Sequence, residues 1–223
     1  QLYALEKEAP SAQYEFEGIF LTHAHMGHYA GLMFLGHEAM GGKNIQVYAM
    51  PRMQGYLRSN GPWSQLVEFN NIVLQPLTHN KAVTLAGMSV TPLLVPHRDE
   101  FSETVGYLIK GANKSALFIP DINKWSVWET EIAQIIQTVD YALLDATFYG
   151  DGELPGRDMS KVPHPLVTET MKALSGLSLE ERNKVWFIHM NHTNPLLNPG
   201  SEEANTVRAN GFNIAVEGIR LPL

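Results

Sequence analysis

The sequence predicts an α/β fold built in layers around one core, and two observations lead to that prediction. Successive strand-like runs occupy residues 72–119, and helical segments then alternate with buried strands. No internal repeat and no linker long enough to divide the chain interrupts this order. A single domain over residues 1–223 is therefore expected, with sheets and helices packed as layers.

The elements before residue 60 are predicted from apolar periodicity and from glycine and proline. In chain order we predict a polar helix or linker, a strand, a buried helix, a strand and a second helix, at residues 1–15, 14–21, 28–40, 45–49 and 51–57. Gly41 and Gly42 end the buried helix, and Pro51 suits the first turn of the helix that follows.

The remaining elements follow from runs rich in β-branched and aromatic residues. Three strands are predicted, and then two arms of a hairpin, at residues 72–77, 82–85, 89–95, 104–110 and 115–119. A helix precedes each of two further strands, with the helices at residues 126–138 and 166–174 and the strands at residues 141–144 and 185–188.

The amino-acid composition argues against some classes of function. A net charge of −7 and a pI near 5.7 argue against a broad electrostatic grip on nucleic acid, which needs clustered Lys and Arg. The chain has no cysteine, so any metal must be held by histidine and carboxylate. We expect a small-molecule substrate as the partner, with no nucleic acid and no membrane, and leave a homodimer open.

The N-terminus bears on the localisation. No stretch approaches the roughly 20 apolar residues of a membrane span, and the first residues lack a signal-peptide pattern. The chain begins with Gln1 rather than Met, and its first metal-type motif arrives by residue 23. We therefore expect the beginning of a longer protein to be absent, and a soluble, cytoplasmic protein is favoured.

Three histidines stand within six residues directly after the first predicted strand. His23 and His25 point the same way on an extended segment because side chains alternate, and His28 begins the next turn. Neutral imidazole is the commonest protein ligand for zinc and also suits iron. A chance cluster of solvated histidines is the alternative, but the position at a strand end favours a metal site.

Three further candidates share that position at the end of a predicted strand. They are His97 after Val95-Pro96, Asp121 after Ile119-Pro120, and His189 after Phe187-Ile188. Each residue alone is more typical of a core or capping position than of a ligand. Their shared context favours a metal centre at one edge of the sheets.

These residues resemble the ligands of the metallo-β-lactamase fold superfamily, whose signature is H-x-H-x-D-H followed by a distant His, Asp and His. The resemblance implies an αββα four-layer sandwich, and its opening strands would lie in the absent N-terminus. It also implies a ligand set: a first metal on His23, His25 and His97, a bridging Asp121, and a second metal on His28 and His189.

Gly27 departs from this motif because it occupies the position where the superfamily has aspartate. The second metal site is thereby weakened, so one ion or two remain open. Zinc is the expected metal, with iron or manganese as alternatives. A structural interpretation of Gly27 is that glycine permits positive φ in the turn.

The segment Ala142–Phe148 resembles the strand and the acidic-Ala-Thr-Phe motif of ribonuclease Z and related phosphodiesterases. That resemblance implies that Asp145 and His164 form the pair that delivers a proton. A carboxylate raises the pKa of an adjacent imidazole and fixes its tautomer, which suits a general acid. The alternative is that His164, between two prolines, is an exposed loop residue.

A second resemblance, to the pyrroloquinoline quinone biosynthesis protein B family of the same superfamily, spans more of the chain. It is carried by residues 22–32, 103–107 and 187–195. That family commonly lacks intact histidines in its first motif, whereas this chain keeps three. We therefore predict a homologue with hydrolase-type ligands, and an iron-dependent oxidoreductase or a carrier as the alternatives.

Other polar residues near the predicted ligands have weaker assignments. His192 is an alternative ligand, a residue that orients a ligand, or a loop histidine bonded to backbone. Arg157 could bind an anionic group of the substrate or be solvated. Asp99 and Glu100 are expected to cap or orient rather than to bind metal. Catalysis is assigned to Asp121, which orients the nucleophile, together with His164 and Asp145.

Overall fold

Residues 17–223 are described by the computed structural model, and they divide into two units. The first unit comprises the described residues up to Ala86 together with Asp99–Glu103, and the second comprises Gly87–Arg98 and Thr104–Leu223. Both units combine strands with helices, which confirms the predicted α/β class. The helix or linker predicted at residues 1–15 lies outside the described residues.

The first unit contains a parallel three-stranded sheet. Its strands lie in the order β1-β2-β3, and the unit also contains β4 and three α-helices. The bounds are β1 Ile19–Phe20, β2 Ile45–Ala49, β3 Ile72–Pro76, β4 Val83–Leu85, α1 Met26–Tyr29, α2 Pro51–Ser59 and α3 Trp63–Glu68. Leu21, Val47 and Leu57 belong to its buried core, which fixes the chain just before the histidine run.

The second unit contains strands in the order β10-β9-β8-β7-β6-β5. The strands are β5 Met88–Leu94, β6 Val105–Lys110, β7 Ser115–Ile119, β8 Tyr141–Asp145, β9 Val185–Ile188 and β10 Asn213–Ile214. The helices are α4 Ile132–Gln137, α5 Val167–Ala173, α6 Leu179–Arg182 and α7 Glu202–Ala209. Leu117, Leu144 and Phe187 lie at the centre of its core, each fully buried.

Strand direction determines where the polar residues of the second unit emerge. Strands β7, β8 and β9 are parallel, and β5 runs in the same direction because both β5 and β7 are antiparallel to β6. The carboxyl ends of these four strands therefore lie at one edge of the sheet. His97, Asp121, Asp145 and His189 all follow or end these strands, as the sequence predicted.

Two predicted helices are shorter in the structure. The helix predicted at residues 28–40 is wrong in extent: α1 ends at Tyr29 and a 3-10 helix follows at Ala30–Leu35. Gly31 and Gly36 weaken helix formation there, and Phe34 is exposed rather than buried. The helix predicted at residues 126–138 is a 3-10 helix at Trp125–Val127 and then α4. No helix in the described part of the chain is long and apolar enough to cross a membrane.

Candidate metal centre

The three histidines of the first unit form a cluster. The His23 side chain is buried, with 1% of its surface exposed, and its ring centroid lies 4.5 Å from that of His25 and 4.2 Å from that of His28. His23 Nε2 and His25 Nδ1 face each other at 2.9 Å. Two ring nitrogens at this separation can turn their lone pairs toward one cation, so the donors fit a metal ion.

Thr22 lies on the other side of the His23 ring. Its Oγ1 is 3.1 Å from His23 Nδ1, and both atoms are buried. A threonine hydroxyl accepts a hydrogen bond as readily as it donates one, so it can accept a hydrogen bond from Nδ1–H, and Nε2 of the neutral ring is then unprotonated. This is the protonation state that a metal-binding histidine requires, because metal ligation uses the lone pair of the ring nitrogen.

The structural interpretation of Gly27 as a residue that needs positive φ is wrong. Gly27 lies inside α1, and it does not belong to the glycines of positive φ. A Cβ atom built on Gly27 would meet no heavy atom within 4 Å, so nothing in this turn excludes a side chain. An aspartate would fit at this position beside His28.

Replacing Gly27 with aspartate is expected to strengthen binding of a second ion by roughly tenfold or more, about 1.4 kcal/mol, because it supplies a carboxylate ligand. Zinc titration with a competing chelator measures the change. Gly31→Asp is the matched control, since Gly31 also has open space and stands outside the motif. Identical stoichiometry and affinity in Gly27→Asp and the unaltered chain would contradict the expectation.

The second unit brings Asp121 together with three predicted partners at its sheet edge. Asp121 Oδ1 lies 3.2 Å from His97 Nε2 and 3.1 Å from His164 Nδ1. The side chain of His97 is completely buried and that of Asp121 is 5% exposed. Asp121, Asp145 and His164 offer ligand atoms that lie within 4.8 Å of one another. Imidazole nitrogen and carboxylate oxygen at such separations suit zinc, iron or manganese.

Asp145 and His164 are paired in the structure, which places His164 in the site rather than in solvent. His164 Nδ1 lies 2.9 Å from Asp145 Oδ2, and it donates because an ionised carboxylate only accepts. Asp145 is completely buried and also accepts from the backbone N–H groups of Ile122 and Thr147. The carboxylate is therefore fixed, and it fixes the imidazole in turn.

Thr147 belongs to the site although no role was predicted for it. Its hydroxyl donates to Asp145 Oδ1 at 2.6 Å, so it can only accept from His189 Nδ1, which is 2.9 Å away. In its neutral form His189 then carries its proton on Nδ1 and keeps Nε2 as a lone-pair donor. The backbone of His189 has a φ of 63°, a left-handed conformation that costs a non-glycine residue about 1–2 kcal/mol. Thr147 is the threonine of the acidic-Ala-Thr-Phe motif, two residues after Asp145, and this motif was the sequence signal that could have indicated its role.

The pKa values at this edge follow from burial and from the carboxylates. Burial lowers the pKa of His164, but hydrogen bonds to Asp121 and Asp145 outweigh burial and raise it to about 9. Burial raises the pKa of Asp145, but its interactions with His164 and His189 lower the pKa by more, so the pKa of Asp145 falls below the ordinary value. His164 is thus protonated and Asp145 ionised at neutral pH.

Two predicted residues lie away from these clusters. His192 is exposed, and within residues 17–223 it belongs to no group of side chains arranged to hold a metal. Arg157 is exposed on the loop between β8 and α5. The assignments of both residues stay predictions.

Comparison with known proteins identifies the class of protein to which the chain belongs. The β-lactamase superfamily domain matches residues 3–190, and the chain belongs to that superfamily. This confirms the superfamily resemblance and the metallo-β-lactamase type of fold.

Particular relatives are also similar to the chain. Coenzyme PQQ synthesis protein B of Xanthomonas oryzae is 24% identical over 229 residues, which covers 93% of this chain and 73% of the relative. The structure of zinc-bound PqqB from Methylobacterium extorquens has a TM-score of 0.77 at 24% identity, with 93% and 73% coverage. A diphosphatase of the PhnP family has a TM-score of 0.60 at 19% identity, with 97% and 74% coverage.

Proposed function

We propose that the chain is a metal-dependent hydrolase that uses an activated water on an ester, amide or phosphodiester bond of a small molecule. The observation that supports this proposal is the position of the His164 ring, whose Nδ1 lies 2.9 Å from the buried Asp145 carboxylate and 3.1 Å from that of Asp121. Acid-assisted hydrolysis requires a protonated imidazole that is held in place next to the metal, and Asp121 is a candidate metal ligand.

The superfamily motif and the donor types indicate the metal ligands. In the proposed centre the ligands would be His23, His25, His28, His97, Asp121 and His189. When bound, zinc in such a set lowers the pKa of water from about 15.7 towards about 7 and polarises a carbonyl or phosphoryl oxygen. The number of bound ions, one or two, would depend on Gly27, because glycine lacks the carboxylate ligand that the motif's aspartate supplies.

The roles of the chain's own residues follow from their hydrogen bonds. Asp121 would orient the attacking water through a carboxylate oxygen. His164 would protonate the leaving group from Nε2, the ring nitrogen that does not donate to Asp145. The neutral imidazole that remains keeps the hydrogen bond from its Nδ1–H to Asp145, so the ring stays in position, and Nε2 takes up a proton from solvent before the next turnover.

A second candidate is an iron-dependent oxidoreductase that acts on a peptide-derived precursor of a quinone cofactor. The similarity to coenzyme PQQ synthesis protein B over 93% of the chain favours it. The same histidine and carboxylate ligands suit iron. A carrier that retained the scaffold is a third candidate from a non-catalytic class, and the retained ligands argue against it.

Metal identity and turnover discriminate these candidates. The protein is purified without added metal, its metal content is determined by elemental analysis, and ester, lactam and phosphodiester substrates are tested. We expect zinc and chelator-sensitive hydrolysis of at least one substrate class. Iron accompanied by oxygen consumption would replace the hydrolase proposal with the oxidoreductase, and tight ligand binding without turnover would replace it with the carrier.

A further inference from the structure

We propose that Glu100 is a positioning residue that fixes the ring of His25, and with it the nitrogen that His25 presents to a metal ion. This inference rests on the metal-binding role proposed above and adds a residue outside the H-x-H-x-D-H motif. The sequence indicated only that Glu100 caps or orients, without naming what it orients.

The hydrogen bond of Glu100 determines which nitrogen of His25 carries a proton. Glu100 Oε2 lies 3.1 Å from His25 Nε2, and the carboxylate can only accept, so Nε2 carries the proton and donates it. Nδ1 is then the unprotonated nitrogen. Nδ1 is the atom that faces His23 Nε2 at 2.9 Å, so Glu100 leaves a lone pair on the side where the second histidine lies.

The backbone around Glu100 is anchored next to the histidine run. Ser102 Oγ accepts from the backbone N–H of Ala24 at 2.8 Å, and Ala24 stands between the two histidines. Ser102 is 2% exposed and also donates to the Glu103 carbonyl. Residues 99–103 are thereby tied to the segment that presents the ligands.

Arg52 anchors the same loop from α2. Its Nη2 donates to the Asp99 carbonyl at 2.7 Å, and its Nη1 pairs with the Asp99 carboxylate at 3.2 Å. The backbone N–H of Arg52 donates to both carboxylate oxygens of Glu103, at 3.1 and 3.0 Å. Because residues on both sides of Glu100 are fixed, its carboxylate is held near His25 and loses less conformational entropy in pairing.

The alternative is an ordinary surface ion pair, and the two roles have different consequences. The side chains of His25 and Glu100 are 21% and 50% exposed, so the pair should contribute little to folding stability. A carboxylate that orients a metal-binding imidazole nevertheless changes metal affinity, typically by about 10–100-fold. A change in metal affinity without a change in folding stability would therefore show that Glu100 positions the His25 ring.

The first test compares zinc affinity in Glu100→Ala, Glu100→Gln and Glu68→Ala, using a chromophoric competing chelator. Glu68 is an exposed carboxylate on α3, so Glu68→Ala is the matched control. We expect about 10–100-fold weaker binding in Glu100→Ala. The loss should be smaller in Glu100→Gln, whose amide oxygen can still accept, and the affinity of Glu68→Ala should match the unaltered chain. Thermal unfolding of the metal-free proteins should coincide. Unchanged affinity in Glu100→Ala, or an equal loss in Glu68→Ala, would overturn the proposal.

The second test is independent of metal binding. The ring ¹⁵N signals of His25 are recorded in metal-free protein at pH 8. We expect the Nε2–H tautomer in the unaltered chain and a mixture of tautomers in Glu100→Ala. The same tautomer in both proteins overturns the inference about Glu100. A lack of zinc binding by the unaltered chain would instead refute the proposed function, and the ring signals would still decide the role of Glu100.

Discussion

Replacing both His23 and His25 with alanine is expected to remove the bound metal and to lower hydrolytic activity by about a thousandfold or more. The two rings supply facing nitrogens 2.9 Å apart, and no cysteine is available elsewhere in the chain to substitute for them. Loss of metal-assisted catalysis removes several kcal/mol of transition-state stabilisation, and about 4 kcal/mol corresponds to a thousandfold in rate.

The matched control replaces two histidines that lie outside the clusters. His37 and His79 are exposed, so the His37→Ala and His79→Ala double variant removes the same number of imidazoles from the surface. Elemental analysis and initial rates are measured for both double variants, with circular dichroism to compare their folding. Full metal content in the His23 and His25 variant would refute the assignment of these residues as ligands.

Three strands rich in apolar residues were among the most predictable parts of the fold. The sequence placed β2, β8 and β9 within one residue of their observed bounds, because a short apolar-rich run bounded by polar or turn residues leaves little choice of length. Helices α3 and α7 were not predicted, since each is short and has few buried residues. Ser201, whose side chain accepts from the backbone N–H of Ala204, was an available start signal for α7.

The candidate ligand residues could be proposed from the chain, and so could the Asp145–His164 pair, but the other side chains that contact the candidate histidines could not be assigned to them. His23 and His25 are neighbours in sequence, and Asp121 and His189 share the position after parallel strands. Contacts such as His25 to Glu100 join residues 75 positions apart, and local patterns carry no information about such pairs. The sequence therefore indicates which residues can bind metal, whereas tertiary contacts determine which nitrogen each histidine offers.

Replacing Asp145 with asparagine is expected to lower the free energy of unfolding by about 3 kcal/mol and the hydrolytic rate by about 10²–10⁴-fold. The carboxylate is completely buried and accepts hydrogen bonds through both oxygens. An amide presents an NH₂ group to one set of donors and leaves those donors unsatisfied. It also removes the charge that holds the pKa of His164 high, so less of the imidazole is protonated at neutral pH.

Asp140→Asn is the control for the loss of stability. Asp140 precedes the same strand at its opposite end, is exposed, and accepts from Ser115, so its replacement should change stability by less than about 1 kcal/mol. Denaturant unfolding of the metal-free proteins measures both variants. An equal loss of unfolding free energy in Asp145→Asn and Asp140→Asn would show that burial of the Asp145 carboxylate does not determine how much it stabilises the fold.

The leaving group separates the catalytic effect of Asp145 from its effect on folding. A substrate whose leaving group is already a stable anion needs no proton, so Asp145→Asn should lose much less activity on it than on a poor leaving group. His164→Gln should show the same selectivity, and the double variant should lose little more than either single variant because the pair acts as one unit. Equal losses on both substrates would mean that Asp145 only maintains the structure, and proton delivery would then have to be assigned to another residue.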